Sequence, residues 1–144
     1  MFGKLKEMMA GGGNKLAGKT DLLEGLWAGV ALTTYADGTA DDAEIASAIE
    51  AMESHAVVGS AFKPHEIEAA GNKQLQRAKG GMAGKLALKR ELAEAKAKNT
   101  FEEMEMLLMI CIDVAAASGD IDEKEKAVLK EIGKVIGVPA DQFL

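Results

Sequence analysis

Apolar side chains recur at steps of three and four along most of this chain, the period of helices that bury one face. Leu22, Leu23, Leu26, Trp27, Val30 and Ala31 form the first such stripe. It predicts a helix ending around Tyr35 or Ala36, with Asp21 near its start, where a carboxylate suits unpaired amides. A second helix is expected from about Asp42, burying Ile45, Ala48, Ile49 and Met52 and running out near Val57 to Gly59. Pro64 opens the next stretch, because its fixed φ and missing N–H suit a first turn. Ile67, Leu75, Ala78, Met82, Leu86 and Leu92 continue the apolar stripe there, and Gly71, Gly80, Gly81 and Gly84 divide it into two or three pieces. Phe101, Met104, Leu107, Leu108, Cys111 and Ile112 form a strongly apolar helix ending near Ala117. Val128, Leu129, Ile132, Val135 and Ile136 mark the last one, which stops at Gly137 before Pro139. No run alternates cleanly between apolar and polar residues, so the expected fold is a single all-α bundle.

The pattern also repeats. Residues 29–62 and 110–143 can be superposed along the sequence, laying Asp37-Gly38-Thr39-Ala40-Asp41-Asp42-Ala43-Glu44 over Ser118-Gly119-Asp120-Ile121-Asp122-Glu123-Lys124-Glu125. Each copy reads as helix, acidic glycine turn, helix. Duplicated hairpins usually pack about a pseudo-twofold axis, which would bring the two turns close together.

The chain's 144 residues suit one domain, and 48% apolar with 28% charged residues is globular composition. A net charge of −6 gives no electrostatic reason to bind nucleic acid and favours cations or basic partners. One cysteine excludes an internal disulfide and a Cys-based zinc site, and fits a reducing compartment. No apolar run reaches a membrane-spanning length, because Asp113 interrupts the longest candidate. The first nine residues are too short and too charged for a secretory signal, so a cytoplasmic protein is expected. Residues 1–20 divide from residues 21–144 at Gly11-Gly12-Gly13, a flexible-linker composition. Phe2, Leu5, Met8 and Met9 ahead of it could make a short amphipathic helix. A frayed terminus, or a segment docked on its own domain, is favoured over peripheral membrane contact through residues 1–10.

The acidic turns hold the chemistry. Asp37, Asp41, Asp42 and Glu44 in the first, with Asp120, Asp122, Glu123 and Glu125 in the second, are hard oxygen donors of the kind Ca2+ and Mg2+ take. Crowded like charges would be relieved by a bound cation. The span from Asp37 to Glu44 is too short for an EF-hand loop. The competing explanation needs no metal. Asp41 with Glu44, and Asp122 with Glu125, have capping-box spacing and would satisfy helix-start amides unaided.

On these residues the chain from about Asp21 to Leu144 resembles the TerB family of tellurite-resistance proteins. The likeness is carried by Tyr35-Ala36-Asp37-Gly38 with Glu44, by Ala117-Ser118-Gly119-Asp120 with Glu125, and by the tail Ile132-Gly133-Lys134-Val135-Ile136-Gly137-Val138-Pro139. The resemblance implies about seven helices, a cytoplasmic protein of bacterial or phage origin, and a link to tellurite resistance, phage inhibition and stress response. It implies partners among stress-response proteins near the inner face of the membrane, and a divalent cation held by Asp37 and Glu44 in one turn and Glu125 in the other. Ser118 stands where the family pattern has Asp, which weakens the second turn unless Asp120 or Asp122 substitutes.

Two further signals compete. Gly13-Asn14-Lys15-Leu16-Ala17-Gly18-Lys19-Thr20 matches the P-loop spacing, and Leu107 to Asp113 imitates a magnesium-binding strand. No β-branched strand precedes the glycines and no βαβ unit follows, so an NTPase ranks last. His55 and His65 lack metal-ligand spacing and are expected at surfaces or caps; Cys111, between Ile110 and Ile112, is expected to be a buried thiol. The sequence is thus read as a non-enzymatic, cation-binding helical domain. Its alternative is a metal-independent interaction module whose acidic turns are helix caps.

Overall fold

A computed structural model describes Leu16 and residues 18–144. The expected terminal helix and glycine linker lie outside the described residues. Seven α-helices follow in order: α1 (Thr20–Thr34), α2 (Asp42–Ser54), α3 (Ala56–Ala61), α4 (Pro64–Lys79), α5 (Gly81–Lys98), α6 (Phe101–Ala116) and α7 (Glu123–Ile136). A short 3-10 turn, Ala140–Phe143, packs on α7.

The helices α1 and α6 are buried almost all round, as expected of segments apolar on every face. They are also the first helices of the two sequence repeats. Around α1 lie α4, α5, α6 and α7. Trp27, fully buried at the middle of α1, lies against Gly71 of α4. A Cβ at Gly71 would fall 2.6 Å from the indole, so this position needs glycine for close approach. The same device joins α4 to α5: a Cβ at Gly84 would stand 1.7 Å from the Arg77 carbonyl oxygen.

That close approach corrects one expectation. The apolar stripe predicts buried side chains at Met82 and Leu86, yet they are 89% and 50% exposed. Because α5 meets α4 through the bare face of Gly84, the side chains at 82 and 86 project outward. Phe101 is also exposed, at the very start of α6.

The second expected helix is divided at His55, which closes α2 and opens α3. Its Nδ1 accepts from the Val57 amide at 3.1 Å, while Nε2 lies 2.9 Å from Asp113 Oδ2 on α6. A nitrogen that accepts carries no proton, so the ring is the Nε2–H tautomer and donates to Asp113. His55 is therefore the cap that the sequence suggested, and it also ties the first hairpin to α6.

Lys19, the lysine of the P-loop-like run, forms an ion pair with Glu103, a residue only 5% exposed. Thr20 begins α1, and Leu107 to Asp113 lies within α6, so the run that imitated a strand is helical. No strand occurs among the described residues.

Candidate functional site

Both acidic turns are built alike. Each follows a core helix, bends through a glycine of positive φ (Gly38, +97°; Gly119, +132°), and opens the next helix with an aspartate cap. Asp41 Oδ1 accepts the Glu44 amide at 2.7 Å, and Asp122 Oδ1 accepts the Glu125 amide at 2.8 Å. The return bonds differ. Glu125 Oε1 accepts from the Asp122 amide at 3.0 Å, whereas Glu44 Oε1 lies 3.4 Å from the Asp41 amide. Glu44 is the more loosely held carboxylate.

The turns face one another. A cavity of about 80 Å³ has Glu44 and Ser47 of α2 on one side and Glu125 of α7 on the other. Thr33 and Thr34 from the end of α1, with Ser118 from the second turn, complete its polar wall. Glu44 and Glu125 occupy equivalent places in the repeat, as do Asp37 and Ser118.

Thr33 and Thr34 donate their hydroxyl protons to the Gly29 and Val30 carbonyls, both at 2.8 Å. Their oxygen lone pairs stay available as acceptors. Every polar side chain on this wall thus offers oxygen, the donor type of hard cations.

The charges of the two turns act on one another. Glu125 is pushed above the usual carboxylate range, first by burial, then by the negative charges of Asp122, Glu44 and Asp37. The first-turn acids also reach Tyr35. Burial, followed by Asp42 and Glu44, raises its phenol above the ordinary value.

The eight acids singled out in the sequence therefore separate, and Glu123 is exposed and pairs with Lys126 on its own helix. Glu44 and Glu125 line the cavity and Asp37 acts on it through charge. Asp41 and Asp122 are caps. Asp42 acts on Tyr35 rather than on the cavity. Asp120 is exposed and is not among the residues that line the cavity. Among the described residues no three acidic, histidine or cysteine side chains are grouped closely enough to enclose a metal ion. Two carboxylates and a set of hydroxyls fit an ion that keeps much of its water, as Mg2+ does.

The hydroxyl donors were missed in the sequence although a signal was there. Thr33 and Thr34 are polar residues at the end of an apolar stripe, one helical turn before Asp37, and Ser47 lies one turn after Glu44. Cys111 is buried as expected, and burial, then Asp113, pushes its thiol up to about 12, which keeps it protonated.

The fold is an all-helical bundle in which two capped acidic turns border one cavity of mixed polar and apolar lining, and its two carboxylates make it a candidate cation site. A sequence profile of the family described as tellurite resistance protein TerB matches residues 23–144, and the chain belongs to that family. Searches of curated proteins and of solved structures each gave no match. Among the described residues no helix is long and apolar enough to cross a membrane.

Proposed function

We propose that this TerB-family domain is a non-enzymatic cation-responsive scaffold of a stress-response assembly linked to tellurite resistance. A hydrated divalent cation, Mg2+ or Ca2+, would be held between its two acidic turns. The supporting observation is that Glu44 and Glu125, one from each turn, line a single cavity together with Thr33, Thr34, Ser47 and Ser118, with Asp37 adding to the charge there. Asp37, Glu44 and Glu125 are the positions to which the family resemblance assigns the ion. A bound cation supplies positive charge. The chain's own part is to hold two carboxylates on the capped first turns of α2 and α7, with Glu44 open to solvent.

Loading would relieve the repulsion at Glu125 and draw the two hairpins together, changing the surface offered to a partner. With two carboxylates and neutral hydroxyls, affinity should be weak, near the millimolar end of the range for oxygen sites. Action on the cytoplasmic side accords with the single, buried cysteine.

A second reading rests on the two complete capping boxes, in which the aspartates stabilise helix starts without metal. In that reading the turns are solvated caps of an interaction module that takes basic partners, and partner binding is indifferent to chelator. Calorimetric titration with Mg2+, Ca2+ and Mn2+ separates the readings, using Glu44→Gln with Glu125→Gln as control. Saturable heat that the double variant lacks supports the cation site. No heat at millimolar ion leaves the capped module.

A further inference from the structure

We propose that the N-terminal half of α5 is a docking face for an acidic amphipathic helix of a partner protein. This face carries the opposite charge to the turns, and the proposal does not depend on cation binding.

Between Glu68 and Glu91 the chain has no acidic residue, yet it contains Lys73, Arg77, Lys79, Lys85, Lys89 and Arg90. In a protein of net charge −6, this stretch of α4 and α5 is thus locally basic. Lys73, Arg77 and Lys89 are neutralised by Glu24, Glu91 and Glu131. Lys79, Lys85 and Arg90 form no ion pair among the described residues, which leaves three cations around the elbow where α4 meets α5.

The same elbow exposes apolar surface. Met82 is 89% and Leu86 50% exposed. With Lys85 and Lys89 they occupy positions i, i+3, i+4 and i+7, one face of the helix. Two large apolar side chains turned to water on one helical face mark an interaction surface.

Beside this face lies a cleft of about 120 Å³ between α1, α5 and α7. Leu32, Tyr35, Leu92, Val128 and Val135 line it together with Lys85 and the ion pair of Lys89 with Glu131, so Lys85 is the unpaired charge there. A flat bilayer surface cannot fill such a cleft, whereas one apolar side chain of a partner helix can. The unpaired cations Lys79, Lys85 and Arg90 then meet carboxylates on the flanks of that helix. Apolar anchors in a groove with complementary charge at the rim are the recurring way in which one helix docks on another protein.

The probe is a fluorescein-labelled peptide of roughly four helical turns, with Leu on one face and Glu on both flanks. It is titrated with the full chain and read by anisotropy. Saturable binding is expected, weaker at higher salt. Lys85→Glu with Arg90→Glu should weaken it about tenfold or more, and Met82→Ser with Leu86→Ser by a similar factor. Melting curves confirm that both surface variants remain folded. Equal binding of a peptide with Lys in place of Glu would overturn the proposal, as would indifference to the charge reversals. Sedimentation of the chain with phosphatidylglycerol vesicles, without peptide binding, would overturn it in favour of a bilayer.

Discussion

Replacing Glu125 by Gln removes one negative charge from the wall where the two turns meet and keeps an acceptor for the Asp122 amide. Glu125 Oε1 takes that amide at 3.0 Å, and a glutamine oxygen can occupy the same place. What disappears is the unfavourable setting of the charge: burial first, then Asp122, Glu44 and Asp37, all of which raise the carboxyl. A folded-state pKa above the unfolded value means that ionised Glu125 opposes folding. That penalty is absent well below the ordinary value of 4.5, grows as pH rises, and is complete above the folded-state value. The facing acids are largely solvated, so each repulsion is worth about 0.2–1 kcal/mol. Exchanging a charged for a neutral acceptor at the cap returns a few tenths of a kcal/mol. Glu125→Gln should therefore stabilise the protein by about 0.5–1 kcal/mol at neutral pH, roughly 2–4 °C in Tm for a chain of this size.

Thermal melts at acid and neutral pH, with and without Mg2+, supply the assay. The variant should melt above the parent at neutral pH, and the two should converge toward about pH 4. For a dissociation constant near 1 mM, about 10 mM Mg2+ adds roughly 1.4 kcal/mol to the parent and little to the variant. Glu125→Ala, which loses the return bond, should fall below the parent by about 1 kcal/mol. If Glu125→Gln is destabilised as much as Glu125→Ala at neutral pH, the charge belongs to the cap and the argument from repulsion is refuted.

Three further outcomes follow from the same geometry. Gly71→Ala places a Cβ 2.6 Å from the Trp27 ring and should cost about 1–3 kcal/mol by overpacking, less about 1 kcal/mol regained in helix propensity, measured by urea unfolding. Lys19→Ala leaves Glu103 without its cation; burial raises that carboxyl, but hydrogen bonds from Lys19 and Thr100 outweigh it and hold the pKa below the ordinary value. The loss should be about 1 kcal/mol above pH 4.5 and fade as pH falls through the lowered value, and nucleotide turnover, which a P-loop would lose with this lysine, should not change. Ser118→Asp adds a third carboxylate at the cavity; it should lower stability in chelator and tighten Mg2+ binding about tenfold by calorimetry.

Helical periodicity made most of the fold legible in the sequence. The boundaries at Pro64, Gly137 and the two aspartate caps follow directly from local backbone chemistry. What the stripe could not reveal was which apolar face of α5 is buried. Its inner surface is made partly by the absence of a side chain, at Gly84, so Met82 and Leu86 look like core and are surface. The pairing of Lys19 with Glu103 was hidden for a related reason: the partners lie 84 positions apart and only the packing of α1 against α6 brings them together. In the candidate site the carboxylates could be read because they repeat. Composition alone could not separate the caps Asp41 and Asp122 from the cavity residues Glu44 and Glu125, since each box supplies one of each. The convergence of Glu44 with Glu125 is a property of the packed hairpins.

The central claim is that one cation is shared by the two turns, and paramagnetic broadening by Mn2+ tests it most directly. In amide spectra of the full chain, substoichiometric Mn2+ should first broaden the signals of residues around Asp37, Glu44, Ser118 and Glu125 together, and excess Mg2+ should restore them. Broadening confined to one turn, centred elsewhere, or absent at millimolar ion would contradict a shared site.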